Sequence, residues 1–210
     1  MLPCETATIC HALVLTAHCD DAELWAGGTL ARWAESGLRC VVGIAFHNEI
    51  RRGETRRSAR ILGYEPMFMP IEEDVASWIL DLLVQCQPEV LLTHPENDPH
   101  FQHQGLHRSV VEALTRFPQR KVSPRRWYAF DSYYQTRLPP GVWPMTVDIS
   151  TTLDKKLGAL AVHQSQNCAE LVHMARHGAA MAGMRTRMDF AEAFYPFDLL
   201  GRWPVLRDLP

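Results

Sequence analysis

Three short, almost unbroken apolar runs recur in the first half of the chain: residues 11–17 (HALVLTA), 39–46 (RCVVGIAF) and 89–93 (EVLLT). Runs this short and this uniformly apolar suit strands covered on both faces, the condition of a parallel sheet. Between them the spacing changes to that of helices. From Asp20 onward, in DDAELWAGGTLARWAESG, Leu24, Leu30 and Trp33 recur at helical intervals, acidic residues open the segment and Gly37 follows it. Residues 53–63 (GETRRSARILG) read as a short basic helix stopped by glycine, and 67–69 as a short strand. Residues 72–86 read as a helix with Val75, Ile79, Leu82 and Leu83 on one face. After Pro124 the pattern predicts a strand over 127–133, a proline-rich loop over 138–144 and a mainly helical stretch over 152–177. The alternation predicts an α/β chain whose mostly parallel sheet is covered by helices on both faces. No repeat or linker interrupts it, so residues 1–210 are expected to form a single domain.

Composition narrows the class of function. With 210 residues, 47% of them hydrophobic, the chain can bury a core without disulfides. Twenty-one basic residues against 24 acidic ones, a net charge of −3, give no field for a nucleic acid. The first fourteen residues hold Glu5 and no Lys or Arg, and no apolar run approaches the ~20 residues of a membrane helix. A cytoplasmic protein without a membrane span is therefore expected, and a homo-oligomer is compatible with everything above. The six cysteines form no C-x-x-C pair, and several sit in apolar runs, so they read as reduced, mostly buried thiols.

In an open parallel sheet, ligands bind beyond the carboxyl ends of the strands. The first predicted strand ends in His18-Cys19-Asp20-Asp21, the second in His47-Asn48-Glu49, and EVLLT in the stretch from His94 to His103. One imidazole and two carboxylates in a tight turn crowd charge that a divalent cation would relieve. A catalytic zinc site usually takes three protein ligands and leaves a water position open. His18 and one aspartate can supply two ligands, and the third can come from His100-Phe101-Gln102-His103.

Here the sequence resembles the LmbE-like, or PIG-L, family of zinc-dependent N-deacetylases. That family's first motif, A-H-P-D-D-E followed by a G-G-T helix, corresponds to Ala17-His18-Cys19-Asp20-Asp21-Ala22-Glu23 and Gly27-Gly28-Thr29. Arg51-x-x-Glu54, Asp98-x-His100-x-x-His103, Val147-Asp148-Ile149, Lys156, His163-x-Ser165-Gln166 and Ala191-Glu192-Ala193-Phe194 follow in family order. The resemblance implies a Rossmann-like three-layer fold and zinc, or another divalent metal, held by His18, Asp21 and His103. It further implies Asp20 as general base toward a water, and His100 as the group that stabilises the oxyanion or protonates the leaving amine. Arg51 and Glu23 then stand at substrate-binding positions. The implied reaction removes an N-acyl group, most simply acetyl, from a small-molecule amino sugar or related glycoconjugate.

Three departures bear on this reading. Cys19 replaces the family's proline, Ala22 its common glutamate, and Phe101-Gln102 the Pro-Asp of H-P-D-H. Gln102 beside His100 supports the histidine without a negative charge, which predicts a changed pH dependence and opens the alternative of a catalytically weak, sugar-binding member. Arg51 has a second reading as a surface pair with Glu54, and Glu23 a second reading as support behind the ligands. His47, His94 and His107 read as pocket wall or structural, His173 and His177 as a solvated helix face, and Trp25, Trp127 and Trp143 as core. Gly27-Gly28 lacks a phosphate-loop context and reads as close helix packing.

Overall fold

The computed structural model describes residues 10–116, 124–134 and 143–197. Every residue of β1 (Ala12–Thr16), β2 (Cys40–Ile44) and β4 (Val90–Thr93) is buried, as unbroken apolar runs require of strands with both faces covered. With β3 (Glu65–Phe68), β5 (Arg126–Phe130), β6 (Met145–Asp148) and β7 (Ala191–Pro196) they form one sheet, ordered β3-β2-β1-β4-β5-β7-β6. The first five strands run parallel, and β7 lies antiparallel to both β5 and β6.

Alternate residues feed two separate cores. Val14, Val42 and Leu92 pack with Leu30 of α1 (Asp21–Glu35), Leu62 of α2 (Glu49–Leu62) and Leu157 of α5 (Leu153–Leu160). Leu13, Leu15 and Leu91 pack on the other face with Ile79 of α3 (Val75–Cys86) and Val110 of α4 (Phe101–Arg116). Glycine at 28 lets α1 approach closely, because an added Cβ would lie 2.6 Å from the Ile149 Cβ. This agrees with the packing reading of Gly27-Gly28.

Several expected elements shift. Helix α2 begins at Glu49, not residue 53, because the Asn48 side chain accepts the Arg51 amide at 2.9 Å and starts the helix earlier. The helical stretch expected over 152–177 divides into α5 and α6 (Cys168–Thr186). Helix α4 and strands β6 and β7 stand where the sequence pattern predicts no element. Most of the expected loop over 138–144 falls outside the described residues. Among the described residues no helix is long and apolar enough to cross a membrane.

Strand β1 has β2 on one side and β4 on the other, because the chain runs outward from β1 to β3 and then crosses back to lay β4 on the opposite side of β1. A crevice opens at the carboxyl ends of such a pair. The residues that follow β1 and β4 are those singled out for their histidines and aspartates.

Candidate active site

The turn after β1 folds back on itself: the His18 amide donates to Asp21 Oδ2 at 2.7 Å, so Asp21 is oriented by its own loop before any ligand arrives. His18 Nδ1 then stands 3.4 Å from Asp21 Oδ2 and 3.1 Å from His103 Nε2, and His103 Nε2 stands 3.4 Å from Asp21 Oδ1. Helix α4 delivers His103 from its first turn. Two imidazole nitrogens and a carboxylate thus converge from two strand ends. Asp21 and His103 are buried and His18 is partly exposed. Support comes from behind as well. His103 Nδ1 lies 3.0 Å from Asp98 Oδ1, and Asp98, itself buried, also accepts the Ser132 hydroxyl and the His100 amide.

Two histidines close the cluster. His100 is half-buried, its ring 4.8 Å from that of His18 and 4.6 Å from that of His103. Its Nδ1 accepts the Gln102 amide at 3.3 Å, which leaves Nε2 as the proton-bearing atom of the neutral ring. His94 is wholly buried beneath His103. Atoms able to hold a metal ion come within reach of one another in two trios, His18–His100–His103 and Asp21–His94–His103.

Environment separates the two adjacent aspartates. Burial, joined by the Asp21 charge, pushes the Asp20 carboxyl above its ordinary range, against the Arg51 guanidinium 2.6 Å from Oδ1. Burial acts on Asp21 in the same direction, but the charge of His94 and hydrogen bonds from His103, His18 and His94 hold it well below that range. Burial opposes protonation of His103, yet Asp21 and Asp98 raise it to about 9. Burial and the charges of His103 and His18 lower His100. The cluster is therefore an anionic cradle with imidazoles drawn into it.

The remaining candidate residues sort clearly by position. Arg51 pairs with Asp20 at the rim, not with Glu54, whose carboxylate is taken by the Ser165 amide and hydroxyl at 2.8 and 2.6 Å. Glu23 does not line the crevice. It has no exposed surface and is held by the Ser58 and Tyr64 hydroxyls with His163 3.7 Å away, so its acidic side chain is spent inside the protein and out of a substrate's reach. Gln102 also departs from expectation: its Oε1 accepts from His18 Nε2 at 2.8 Å, so its side chain supports His18 and not His100. Trp25 and Trp127 are core residues, whereas Trp143 is 80% exposed. It borders a cavity of about 650 Å³ between α6 and the β6–β7 edge, apart from the His–Asp cluster. His47 and His107 bond the carbonyls of Met69 and His94 and are structural. Tyr133, whose ring stacks 6.2 Å from His103, carried no sequence signal.

Comparison with known proteins decides the family. Residues 13–114, which hold all of these crevice side chains except Ser132 and Tyr133, match the PIG-L model, described as GlcNAc-PI de-N-acetylase. Residues 13–114 are a PIG-L (LmbE-like) domain. Among PIG-L relatives, a Bacillus cereus protein described as "Probable N-acetyl-alpha-D-glucosaminyl L-malate deacetylase 2" is 26% identical over 190 residues, covering 77% of this chain and 86% of that one. The solved structure of N,N'-diacetylchitobiose deacetylase from Pyrococcus horikoshii has a TM-score of 0.72 at 20% identity, covering 89% of this chain and 83% of that one. GalB, the 4-carboxy-2-hydroxymuconate hydratase of Pseudomonas putida, has a TM-score of 0.77 at 23% identity, covering 96% and 100%. At these identities the two structures show a shared fold, and a fold that carries both a deacetylase and a hydratase leaves the reaction to the site's own residues.

Proposed function

We propose that this PIG-L protein is a metal-dependent amide hydrolase that removes an N-acyl group, acetyl first, from an amino sugar or a related glycoconjugate. One observation carries the reading: His18 Nδ1, Asp21 and His103 Nε2 converge within 3.1–3.4 Å, with a second carboxylate at the preceding residue, Asp20, and a third imidazole, His100, beside them. The donor set, two histidine nitrogens and one carboxylate oxygen, fits zinc or a similar divalent ion, and the buried carboxylate supplies the charge such an ion requires. When bound, the cation supplies Lewis acidity toward an amide oxygen and toward water. The family description and the Bacillus cereus relative favour an N-acetylated sugar.

The chain's own groups divide the remaining work. Asp20 keeps one oxygen on Arg51 and accepts the water's proton on the other, and its raised basicity relative to Asp21 suits that task. His100, with Nε2–H free, donates to the developing oxyanion or to the departing nitrogen. Arg51 at the crevice rim is placed to meet a hydroxyl or anionic group on the acceptor.

The test pairs metal analysis with release of acetate from N-acetylated sugars. His18→Ala, Asp21→Ala and His103→Ala should each lose the metal. Asp20→Asn and His100→Ala should retain it while turnover falls on the order of 10²–10⁴-fold. Metal lost from Asp20→Asn but kept in Asp21→Asn would reverse the roles of the two aspartates.

A further inference from the structure

We propose that His94 is a positioning residue for this site, and that it is not a fourth ligand although it stands among the ligands. The inference rests on the reading of His18, Asp21 and His103 as a metal centre. His94 and His103 stack with ring centroids 3.7 Å apart and planes 18° apart. An imidazole lone pair lies in the plane of its ring, and a zinc–nitrogen bond is about 2.0–2.1 Å. A cation bonded in the plane of His103 therefore lies well off the plane of His94, where no lone pair points. One ion cannot be bonded by both rings.

The ring nitrogens of His94 lead to the same conclusion. Nε2 stands 3.1 Å from the Ala17 amide nitrogen, whose hydrogen points at it, and 3.2 Å from Asp21 Oδ2. If Nε2 accepts the amide, its lone pair is used; if it donates to Asp21, it carries a proton. Either way it has no electrons for a metal. Nδ1 lies 3.8 Å from Asp98 Oδ2, on the side away from Asp21. The ring is wholly buried, with Phe130 edge-on at a centroid distance of 5.2 Å and the backbone carbonyl held by His107 Nδ1 at 2.8 Å.

His94 consequently does two things at once. It forms the floor on which the His103 ring lies, and its Nε2 holds either the Ala17 amide, one residue before His18, or the carboxylate of Asp21. These are the groups on which all three ligands depend. A histidine at the end of β4 thus joins the ligands delivered after β1 to the ligand delivered by α4.

The experiment titrates zinc into metal-free parent, His94→Phe, His94→Gln and His103→Ala against a chromophoric chelator, and records the visible spectrum of each protein loaded with cobalt. Phenylalanine keeps a flat ring under His103 but no bond to Ala17; glutamine keeps a polar group there but no ring. Both should bind one ion per chain, with affinity lowered about 10–100-fold, as for other groups that orient ligands without touching the metal. Their cobalt band positions should match the parent. Loss of binding as complete as in His103→Ala, or a shifted cobalt band, would make His94 a ligand and overturn the proposal. So would parental affinity in both variants. Should His94→Phe fail to fold, His94→Gln alone decides between these outcomes. A parent that binds no ion defeats the metal-centre reading itself, a result distinct from any change confined to residue 94.

Discussion

Gln102 shows how one side chain changes meaning when its neighbours are known. The sequence places it beside His100, whereas its amide oxygen accepts from His18 Nε2 and so directs His18 Nδ1 toward Asp21 and His103. The consequence moves from pH dependence to ligand orientation. Gln102→Leu should leave the fold intact and weaken metal binding by about 10–100-fold, because His18 loses the acceptor that fixes its tautomer. Gln102→Asp, which retains an acceptor, should bind at least as tightly as the parent. Chelator competition measures both, and unchanged affinity in Gln102→Leu would count against this role. At this scale the sequence is most legible where chemistry is contiguous. His18, Asp20 and Asp21 share one turn, and His100 and His103 one helical turn. Asp20 and Asp21 can be told apart from sequence only by resemblance, since their difference lies in what faces them: Arg51 for one, three histidines for the other. Glu23 misleads for the same reason. Its spacing from Asp21 puts it on α1, but only Ser58, Tyr64 and His163, distant in sequence, reveal that it points inward.

Among the secondary-structure elements, α2 is the one whose placement most affects the site. Thr55 Oγ1 donates to the Cys19 carbonyl at 3.2 Å, inside the H-x-D-D turn, and Glu54 accepts two hydrogen bonds from Ser165 in the connection between α5 and α6. These bonds hold Arg51, one turn earlier, against Asp20. Glu54→Gln keeps the shape but weakens charge-assisted bonds, and should cost about 1–3 kcal/mol in urea unfolding at neutral pH. Burial pushes the Glu54 carboxyl up, but the Ser165 bonds more than offset it, so its folded value is lowered. A lowered carboxyl stabilises the fold above its unfolded value of about 4.3, and that contribution fades as pH falls through the lower folded value. The gap between parent and Glu54→Gln should accordingly narrow below about pH 4. A constant gap would mean that the charge of Glu54 adds nothing. Strands β1, β2 and β4 are legible because double-sided burial writes itself as apolar runs, and α1 because its apolar residues recur at helical intervals. Helix α4 is not, since its opening residues, Phe101-Gln102-His103-Gln104, serve the site and blur the amphipathic pattern carried further on by Leu106, Val110 and Ala113.

For the molecule as a whole, the strands after β5 have to be explained. Strand β6 is short and partly exposed, and β7, though longer and mostly buried, carries charge within it, so neither has the continuous apolar run that marks β1, β2 and β4. Besides the pairing of β7 with β5, a buried ion pair that the sequence presents as two separate motif residues ties them to α1. Lys156 of α5 meets Glu192 of β7 at 2.5 Å and also donates to the Leu24 carbonyl at 2.8 Å. Glu192 accepts the amides of Gly28 and Thr29 at 2.9 and 2.8 Å. The pair is thus set into the middle of α1, the helix that begins at Asp21. Both side chains are nearly inaccessible, so neither charge has water to fall back on. Removing one partner from such a pair is expected to cost about 3–5 kcal/mol, most of it the penalty of stranding the other charge. Lys156→Met and Glu192→Gln should each approach that loss, while the double variant should lose clearly less than their sum, because it strands no charge. Unfolding followed at once by far-ultraviolet dichroism and by tryptophan fluorescence should give one coincident transition in the parent, since this pair couples the β6–β7 edge to the β1–β4 crevice through α1. In Lys156→Met the two transitions should separate. Additive losses in the double variant, or coincident transitions in Lys156→Met, would show that strand pairing and packing join the two halves of the sheet without help from this pair.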